Sequence, residues 1–390
     1  MSAPVIVSAV RTAIGTAHKG TLVHTSGETL AKAIVEETVR RSDLDADRFD
    51  DVMLAESLYG GGDLARYAAV VNGMAGVPGV ALNRHCASSL TSIGLAAASV
   101  KSGMESAIIA GGVQASSMSP KLKQRVAGTA DEFADWFPPT HPDSPEAPNL
   151  DMSITVGWNT AKKVGITREE QDAWAYRSHM RAVEAIDAGK FVDEIVPLKV
   201  TGPDGATVEF AVDEHPRRTT SLEKLASLKP LHPEIPGFSV TAGNASGIND
   251  AAAAVAVTSA DLAAAEGLTP VAEVLAWAAV GVEPALTGFG ALRAADKVLQ
   301  RAGLKHSDVT LWEINEAFAS VPIAACKEFG LDEERVNFSG SGCSLGHPVA
   351  ASGARMIVTL VHELRRRGGG LGVATMCAGG GQGGAVLIKV

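Results

Sequence analysis

The chain has 390 residues, of which 46% are hydrophobic and 20% are charged, and its formal net charge at pH 7 is −10. This balance describes a well-buried globular protein and excludes a disordered chain. The negative charge argues against a general nucleic-acid binder, whose binding surface would be basic. It also means that an anionic ligand must be bound by a local cluster of basic residues.

The cysteines and the apolar runs indicate the cellular setting. The four cysteines are widely spaced and form neither a disulfide framework nor a Cys/His metal pattern, so we expect a cytoplasmic protein without a bound metal ion. The first residues enter a strand-like run directly, without the basic and apolar regions of a secretory signal. No apolar run reaches membrane-spanning length, because polar residues at 258, 259 and 261 interrupt the alanine-rich stretch that begins at Ala251. We therefore expect no membrane partner.

Strand-like and helix-like runs alternate at both ends of the chain, which favours an α/β fold. Residues 28–41 predict an amphipathic helix, and residues 51–56 predict a strand. The same order recurs late in the chain, with a helix predicted at 291–302 and a strand at 308–313. We interpret these segments as two copies of one topology.

The element that follows also recurs. Cys86 precedes a small-residue helix and a strand predicted at 107–110, whereas His347 precedes a helix and a strand predicted at 372–376. Two copies of one topology would place their corresponding loops on a shared face of the molecule. We therefore expect Cys86 to lie near His347 and near Cys377.

Cys86 lies within residues 81–90 (ALNRHCASSL), between an apolar stretch and a helix-like stretch. The start of a helix presents unpaired N–H groups and the positive end of a dipole, and both favour the thiolate, which is the nucleophilic form. A free cysteine is nevertheless more often a small buried hydrophobic residue. A nucleophilic role therefore requires partners elsewhere in the chain.

Three C-terminal segments supply the residue types that a nucleophilic thiol needs. They are NEAF at 315–318, SGSGCSLGHP at 339–348 and CAGGGQGG at 377–384. The imidazole of His347 titrates near neutral pH and suits a general base, and Cys377 adds a second thiol. Together with the segment around Cys86, these ordered motifs resemble those of the thiolase family.

The resemblance runs nearly from end to end. Further matching segments are VRTAIG at 10–15, REEQD at 168–172 followed by Ser178 and His179, and AGNASG at 242–247. It implies a duplicated α-β-α-β-α layered fold with an inserted loop domain. The implied division is residues 1–116 with 241–267 as the first half, 117–240 as the insert and 268–390 as the second half. Prolines concentrated at 138–145 (PPTHPDSP) predict an irregular start to the insert.

The resemblance also implies roles for individual residues. Cys86 would become acylated, His347 would take its proton, and Cys377 would move the proton of the incoming acetyl group. One thioester oxygen would be stabilised by His347 and a water held by Asn315, and the other by the N–H groups of Cys86 and Gly379. The resulting activity is that of an acyltransferase which forms or cleaves 3-ketoacyl-CoA, with direction and acyl-chain length left open.

The substrates implied are acyl-CoA and CoA, with no permanently bound cofactor. Arg217 matches a thiolase arginine that contacts CoA, Ser246 matches a serine that contacts pantetheine, and the neighbouring Arg218 is a further candidate for the phosphates. Phe318 is expected to wall the acyl pocket, with an ordinary core aromatic as the alternative. Thiolases are dimers or tetramers, so we expect a homodimer or a homotetramer.

The nucleophile motif departs from the family pattern. Many members have Cys-Gly-Ser-Gly or Cys-Ser-Ser-Gly, whereas this chain has CASS at 86–89. We expect Ser89, which replaces a glycine, to narrow the space beside the nucleophile. Cys343 occupies a position that is often aliphatic, and we expect it to serve packing.

Other functions compete with this prediction. A dehydrogenase fingerprint at Gly340, Gly342 and Gly346 is one residue too long and has no acidic ribose partner downstream. A ketoacyl synthase usually pairs its cysteine with two histidines or with His and Asn, and Cys377 argues against it. A non-catalytic acyl-CoA binder of thiolase shape would be expected to lose a catalytic residue, and none is lost. A degradative thiolase for longer chains remains an alternative within the family.

Overall fold

The protein has a mixed α/β fold, described by a computed structural model for residues 2–57, 59 and 62–390. The strands are β1 Pro4–Thr12, β2 Gly15–Thr16, β3 Asp51–Ala55, β4 Gly79–Leu82, β5 Ala107–Ala115, β6 Lys123–Arg125, β7 Phe133–Asp135, β8 Ile195–Val196, β9 Leu198–Thr201, β10 Thr207–Phe210, β11 Asn249–Ser259, β12 Ala272–Gly281, β13 Leu311–Ile314, β14 Leu371–Ala378 and β15 Gln382–Lys389. The helices are α1 Gly27–Ser42, α2 Leu64–Val71, α3 Ser88–Ser102, α4 Asn159–Val164, α5 Arg168–Asp187, α6 Leu222–Ala226, α7 Ala260–Ala265, α8 Phe289–Ala302, α9 Ser320–Phe329 and α10 Ser352–Arg366. The alternation predicted from the sequence is confirmed.

The main sheet repeats one strand pattern. Its order is β13-β14-β15-β12-β1-β11-β5-β3-β4. In the first half β3 runs parallel to β5, and β5 runs antiparallel to β11. In the second half β13 runs parallel to β14, and β14 runs antiparallel to β15. A parallel bridge between Trp312 and Val336 occupies the position that β4 holds in the first half, so the predicted duplication is present in the sheet.

Three apolar clusters separate the helices into layers. α1 and α2 pack their buried side chains, such as Leu30 and Leu64, against the strands of the first half. α8 and α9 do the same in the second half, where Leu292 is one of the packed side chains. The central cluster joins Leu90 of α3 and Met356 of α10 with strands from both halves. The result is the α-β-α-β-α order that the family resemblance implies.

Residues 116–248 leave the main sheet between β5 and β11. They form the hairpins β6–β7 and β9–β10, and they return to the sheet through β8, which runs parallel to β1. Arg11 of β1 binds Glu194 at 2.6 Å and Asp213 at 2.8 Å, and all three side chains are buried. These ion pairs fasten the excursion to the sheet. The proline-rich stretch 138–145 contains neither helix nor strand, as predicted.

The two central helices begin side by side. The hydroxyl of Ser89 in α3 accepts a hydrogen bond from the N–H of Ala354 in α10 at 3.0 Å. A Cβ added to Gly353 would lie 2.7 Å from the side chain of Leu90. The two helices can therefore approach closely at Gly353 because glycine has no side chain. The loops that precede the two helices therefore reach the same end of the molecule.

Candidate active site

The Cys86 loop is short and is fixed by the residue that starts α3. Ser88 accepts a hydrogen bond from the N–H of Arg84 at 2.6 Å and donates its own proton to the carbonyl of His85 at 2.6 Å. His85 has a positive φ of 47°, which is uncommon outside glycine. Cys86 is partly exposed and lies two residues before the first residue of α3.

The thiol of Cys86 is protonated at rest. Enough atoms surround the sulfur for desolvation to raise its pKa to about 11, although hydrogen bonds from the N–H groups of Gly379 and of Cys86 itself act in the opposite direction. The expectation that the start of α3 would favour the thiolate is therefore wrong for the resting protein. Desolvation outweighs the backbone dipoles, and the nucleophile needs a base.

Cys377 lies near Cys86, at the end of β14. Its side chain is buried, and desolvation together with the neighbouring Cys86 raises the pKa of this thiol well above its ordinary range. The chain then turns through Gly380 and Gly381, whose φ angles of 78° and 75° favour glycine. The end of β14 thus meets the Cys86 loop through two predicted residues, Cys377 and Gly379.

The backbone around His347 is tightly constrained. The side-chain oxygen of Asn249 accepts a hydrogen bond from the N–H of His347 at 3.0 Å. Gly346 has a φ of 101°, and a Cβ added there would lie 2.3 Å from that same oxygen of Asn249. Glycine is therefore required next to the histidine by both conformation and space.

The partners of the His347 imidazole favour one tautomer. Its Nδ1 lies 2.6 Å from the hydroxyl of Ser352, which also lies 3.0 Å from the carbonyl of Pro348 and can donate to it. This arrangement favours the tautomer in which Ser352 accepts from Nδ1–H and Nε2 keeps its lone pair. Burial, with a smaller contribution from Arg355, lowers the pKa of His347 to about 4. At neutral pH this side chain is an uncharged base.

Asn315 follows β13 and lies beside His347. Its Nδ2 is 3.4 Å from Nε2 of the histidine, and its N–H donates to the carbonyl of Thr375 at 3.0 Å. The side chain is fully buried, and its Oδ1 has no hydrogen-bond partner among the described residues. Buried polar atoms are usually satisfied, so this oxygen is a candidate site for a bound water or substrate group.

Glu316 is a residue of this site to which the sequence reasoning gave no role. Its buried carboxylate accepts hydrogen bonds from the indole of Trp174 at 2.8 Å and from the hydroxyl of Ser178 at 2.6 Å. It also accepts from the amide of Asn337 at 2.8 Å and the N–H of Cys343 at 3.1 Å. The carboxylate thus joins α5 to the loop that carries His347. Glu316 lies in the NEAF motif and Ser178 in another matching segment, but the sequence does not show that these two distant residues are in contact.

A groove of about 640 Å³ contains the predicted CoA-contacting residues Arg217 and Ser246. We call it the Arg217 groove. Its other polar lining residues include Thr16, His18, Lys19, His179, His215, Thr219, Thr220 and Lys224. Arg218 does not line it and instead pairs with Asp187 at 2.7 Å.

Phe318 and Ser89 make contacts that the sequence motif does not display. Phe318 is buried, and a Cβ on Gly157 would lie 2.9 Å from its ring; its place in the acyl pocket stays a prediction. The buried hydroxyl of Ser89 accepts a hydrogen bond from the N–H of Ala354 at the start of α10; its effect on the space beside Cys86 also stays a prediction.

The described part of the chain has no group of three or more His, Cys, Asp or Glu side chains placed to hold a metal ion. Among its helices, none combines the length and the apolar character needed to cross a membrane.

Comparison with known proteins gives the family. Models of the thiolase N-terminal and C-terminal domains match residues 4–261 and 268–390. An acetyl-CoA acetyltransferase of Escherichia coli (strain K12) is 40% identical over 99% of this chain and 98% of its own. A 3-ketoacyl-CoA thiolase of Bacillus subtilis (strain 168) is 37% identical over 100% of both chains. The crystal structure of the Bacillus anthracis acetyl-CoA acetyltransferase matches with a TM-score of 0.91 at 37% identity, over 100% of this chain and 99% of that one.

The chain belongs to the thiolase family. The family, the fold class and the acyltransferase class predicted from its motifs are confirmed, and a catalytic protein is supported over a non-catalytic binder.

Proposed function

We propose that this protein transfers acyl groups between coenzyme A thioesters, forming or cleaving 3-ketoacyl-CoA through an acyl group held on Cys86. The observation that carries this proposal is the meeting of two thiols with one backbone donor. The backbone N–H of Gly379 acts to lower the pKa of the Cys86 thiol, and the two thiols lie close enough for Cys86 to raise the pKa of Cys377. The names of the relatives, acetyl-CoA acetyltransferase and 3-ketoacyl-CoA thiolase, describe reactions of this kind.

The first step acylates Cys86. Because the pKa of the thiol is about 11 and that of His347 is about 4, neither group is charged at rest, and proton transfer must accompany attack. Nε2 of His347 takes the proton while the sulfur attacks the thioester carbonyl. The N–H groups of Cys86 and Gly379 stabilise the oxyanion. The carbon–sulfur bond to CoA then breaks, and the departing CoA sulfur receives the proton from the imidazolium.

The second step makes the carbon–carbon bond. Nε2 of His347 takes the thiol proton of Cys377, and the resulting thiolate removes a proton from the methyl group of acetyl-CoA. The enolate carbon attacks the acyl carbonyl on Cys86, the bond from that carbonyl to the Cys86 sulfur breaks, and the departing sulfur receives the proton from the imidazolium. His347 and a water on the unpartnered Oδ1 of Asn315 stabilise the enolate oxygen. In cleavage the protonated Cys377 returns its proton to the enolate carbon, which suits a thiol whose pKa burial raises.

CoA binding is assigned to the Arg217 groove. Arg217 is exposed at the groove and meets the phosphates, and Ser246 contacts the pantetheine arm. The N–H of Arg217 donates to Nδ1 of His179 at 3.1 Å, which fixes the backbone at the arginine. The groove therefore supplies the local basic residues that an anionic ligand needs on a protein whose net charge is negative.

The same proposal covers the organisation of the protein. We infer a homodimer or homotetramer in the cytoplasm, where its four free thiols would stay reduced. The chain is divided as residues 1–116 with 241–267, 117–240 and 268–390.

The test is covalent labelling by substrate. Incubation with acetyl-CoA, followed by intact and peptide mass spectrometry, should give one acetyl group on Cys86, which Cys86→Ala abolishes. Cys326→Ala, which removes a buried thiol of α9, is the matched control and should label normally. An acetyl group on another residue, or none on the wild type, would contradict the proposal.

A further inference from the structure

A second cavity, of about 750 Å³, has no part in the mechanism above. It lies between β4 and the hairpin β6–β7, and its apolar wall includes Leu82, Leu122, Trp136 and Phe137. We call it the Trp136 cavity. Its volume is in the range of about 300–1,000 Å³ that is typical of small-molecule sites.

The cavity adjoins the nucleophile through His85. This residue lines the cavity and immediately precedes Cys86 in the chain. Its ring also lies against Gly379, since a Cβ added to that glycine would be 3.4 Å from the imidazole. The side chain of His85 therefore lines the cavity and lies beside Gly379, and His85 is the residue next to Cys86 in the chain.

A second link runs through the proline-rich stretch. Pro138 lines the cavity, and two residues later Thr140 packs on the glycine turn that follows Cys377. A Cβ added to Gly380 would lie 2.6 Å from the Cβ of Thr140. The segment that closes the cavity thus also covers the turn at the reactive centre.

A third link joins the cavity to the Arg217 groove. His18 and Ile248 line both spaces, so the cavity and the groove adjoin each other. Ile248 also forms a parallel backbone bridge with His347. The cavity is therefore lined by His85 next to the nucleophile, by Pro138 near the glycine turn and by Ile248 beside the base loop.

The wall favours an apolar occupant. Trp136 is 39% exposed and Phe137 is 43% exposed, and a ligand that covered these rings would remove apolar surface from water. Among the described lining residues, Lys121 is the one Lys or Arg, and the two carboxylates of Glu56 and Asp135 outnumber it. This excess of acidic groups favours an uncharged occupant over one with a terminal carboxylate.

We propose that the Trp136 cavity binds the acyl substituent of the 3-ketoacyl thioester and that this substituent is a bulky apolar group. A chain of about ten carbons or a ring system fits a space of this size, whereas an acetyl group, with three non-hydrogen atoms, leaves most of it unfilled. This inference rests on the proposed function and adds the substrate class to it.

The test compares thiolysis of acetoacetyl-CoA with that of 3-ketododecanoyl-CoA by the full-length protein. The wild type should have the higher kcat/KM for the longer substrate. Ser119→Trp, which fills the cavity from a lining position, and Trp136→Ala, which removes its wall, should each lower that value about tenfold while changing the acetoacetyl-CoA value less than about twofold. Phe133→Ala is the matched control, because this exposed ring lies on the same hairpin outside the cavity lining.

Each other outcome overturns the inference. A wild type that prefers acetoacetyl-CoA, or variants that lower both rates equally, would remove the acyl role of the cavity while leaving thiolysis intact. A changed oligomeric state of Trp136→Ala by light scattering, with unchanged chain preference, would make the cavity an interface between copies. Absence of thiolysis with both substrates would refute the proposed function, and this inference with it.

Discussion

The Cys86 loop and the His347 loop occupy corresponding places in the two halves but are built differently. In the first half, five residues connect β4 to α3, and Cys86 among them is partly exposed. In the second half, residues 337–351 connect the Val336 bridge to α10, and those up to 348 are buried. The same topology thus places a partly exposed nucleophile, Cys86, in one half and a buried base, His347, in the other. Duplication places the two loops on one face, whereas loop length and burial decide the chemistry of each.

Burial acts on the two loops with opposite signs. Desolvation raises the pKa of Cys86 and lowers that of His347, because in both cases it disfavours the charged form. Both residues are therefore neutral at pH 7. In the buried His347 loop, hydrogen bonds offset part of the free-energy cost of desolvation: Ser352 bonds the imidazole ring and Asn249 bonds the backbone N–H.

The largest effect on acetylation of Cys86 is expected from removing the base. His347→Gln should slow acetylation of Cys86 by about 10³-fold, within the range of about 10²–10⁴ that a general base contributes. The rate is measured by quenched-flow mass spectrometry with acetyl-CoA. His24→Gln changes an exposed histidine and should leave the rate unaltered. A His347→Gln rate within threefold of the wild type would show that the second loop supplies no base.

A smaller effect concerns stability at acid pH. Burial lowers the pKa of His347 from 6.5 to about 4, so the folded protein binds this proton less readily than the unfolded chain. The contribution of the neutral His347 to the free energy of unfolding is fully present above pH 6.5 and is lost as the pH falls towards 4. At pH 5 the loss is about 2 kcal/mol for this one group, or about thirtyfold in the folding equilibrium.

Urea unfolding at pH 7 and pH 5 measures that loss. The wild type should lose more stability between these two values than His347→Gln does, by about 2 kcal/mol. His179 and His215, whose pKa values burial also lowers to about 4, contribute equally to both proteins and cancel. An identical loss in the two proteins would mean that His347 is not the buried neutral group described here.

The smallest effect concerns the orientation of the ring. Ser352→Ala removes the acceptor of Nδ1–H and should lower the acetylation rate about tenfold, because one hydrogen bond contributes about 1 kcal/mol and both tautomers then compete. The pH dependence of the rate should change with it. Ser352→Thr keeps a hydroxyl and should restore most of the rate. Equal rates for Ala and Thr variants would indicate that the hydroxyl does not set the tautomer.

The sequence predicted the features that depend on local pattern and chain order. The helix before β3 and the helix before β13 follow from amphipathic periodicity, and their recurrence predicted the duplicated sheet. The motifs around Cys86 and His347 predicted which loops hold the reactive groups and to which family the chain belongs. These features need only residue types, spacing and order.

Features that depend on distant packing were missed. The pKa of Cys86 was expected to fall because the start of α3 is visible in the sequence, whereas the atoms that desolvate the sulfur are not. The contacts of Ser89 with α10 and of Phe318 with Gly157 were not predicted, because these neighbours lie far away in the chain. The role of Glu316 likewise depends on Trp174, which is 142 residues away.

The most direct test of the account separates the two thiols by reaction step. Cys377→Ala, treated with acetyl-CoA, should acetylate Cys86 at close to the wild-type rate, yet formation of acetoacetyl-CoA should fall by about 10³-fold or more, because only carbon–carbon bond formation uses the second thiol. Acetoacetyl-CoA formation by this variant at the wild-type rate, or loss of acetylation together with condensation in a folded protein, would contradict the division of labour between Cys86 and Cys377.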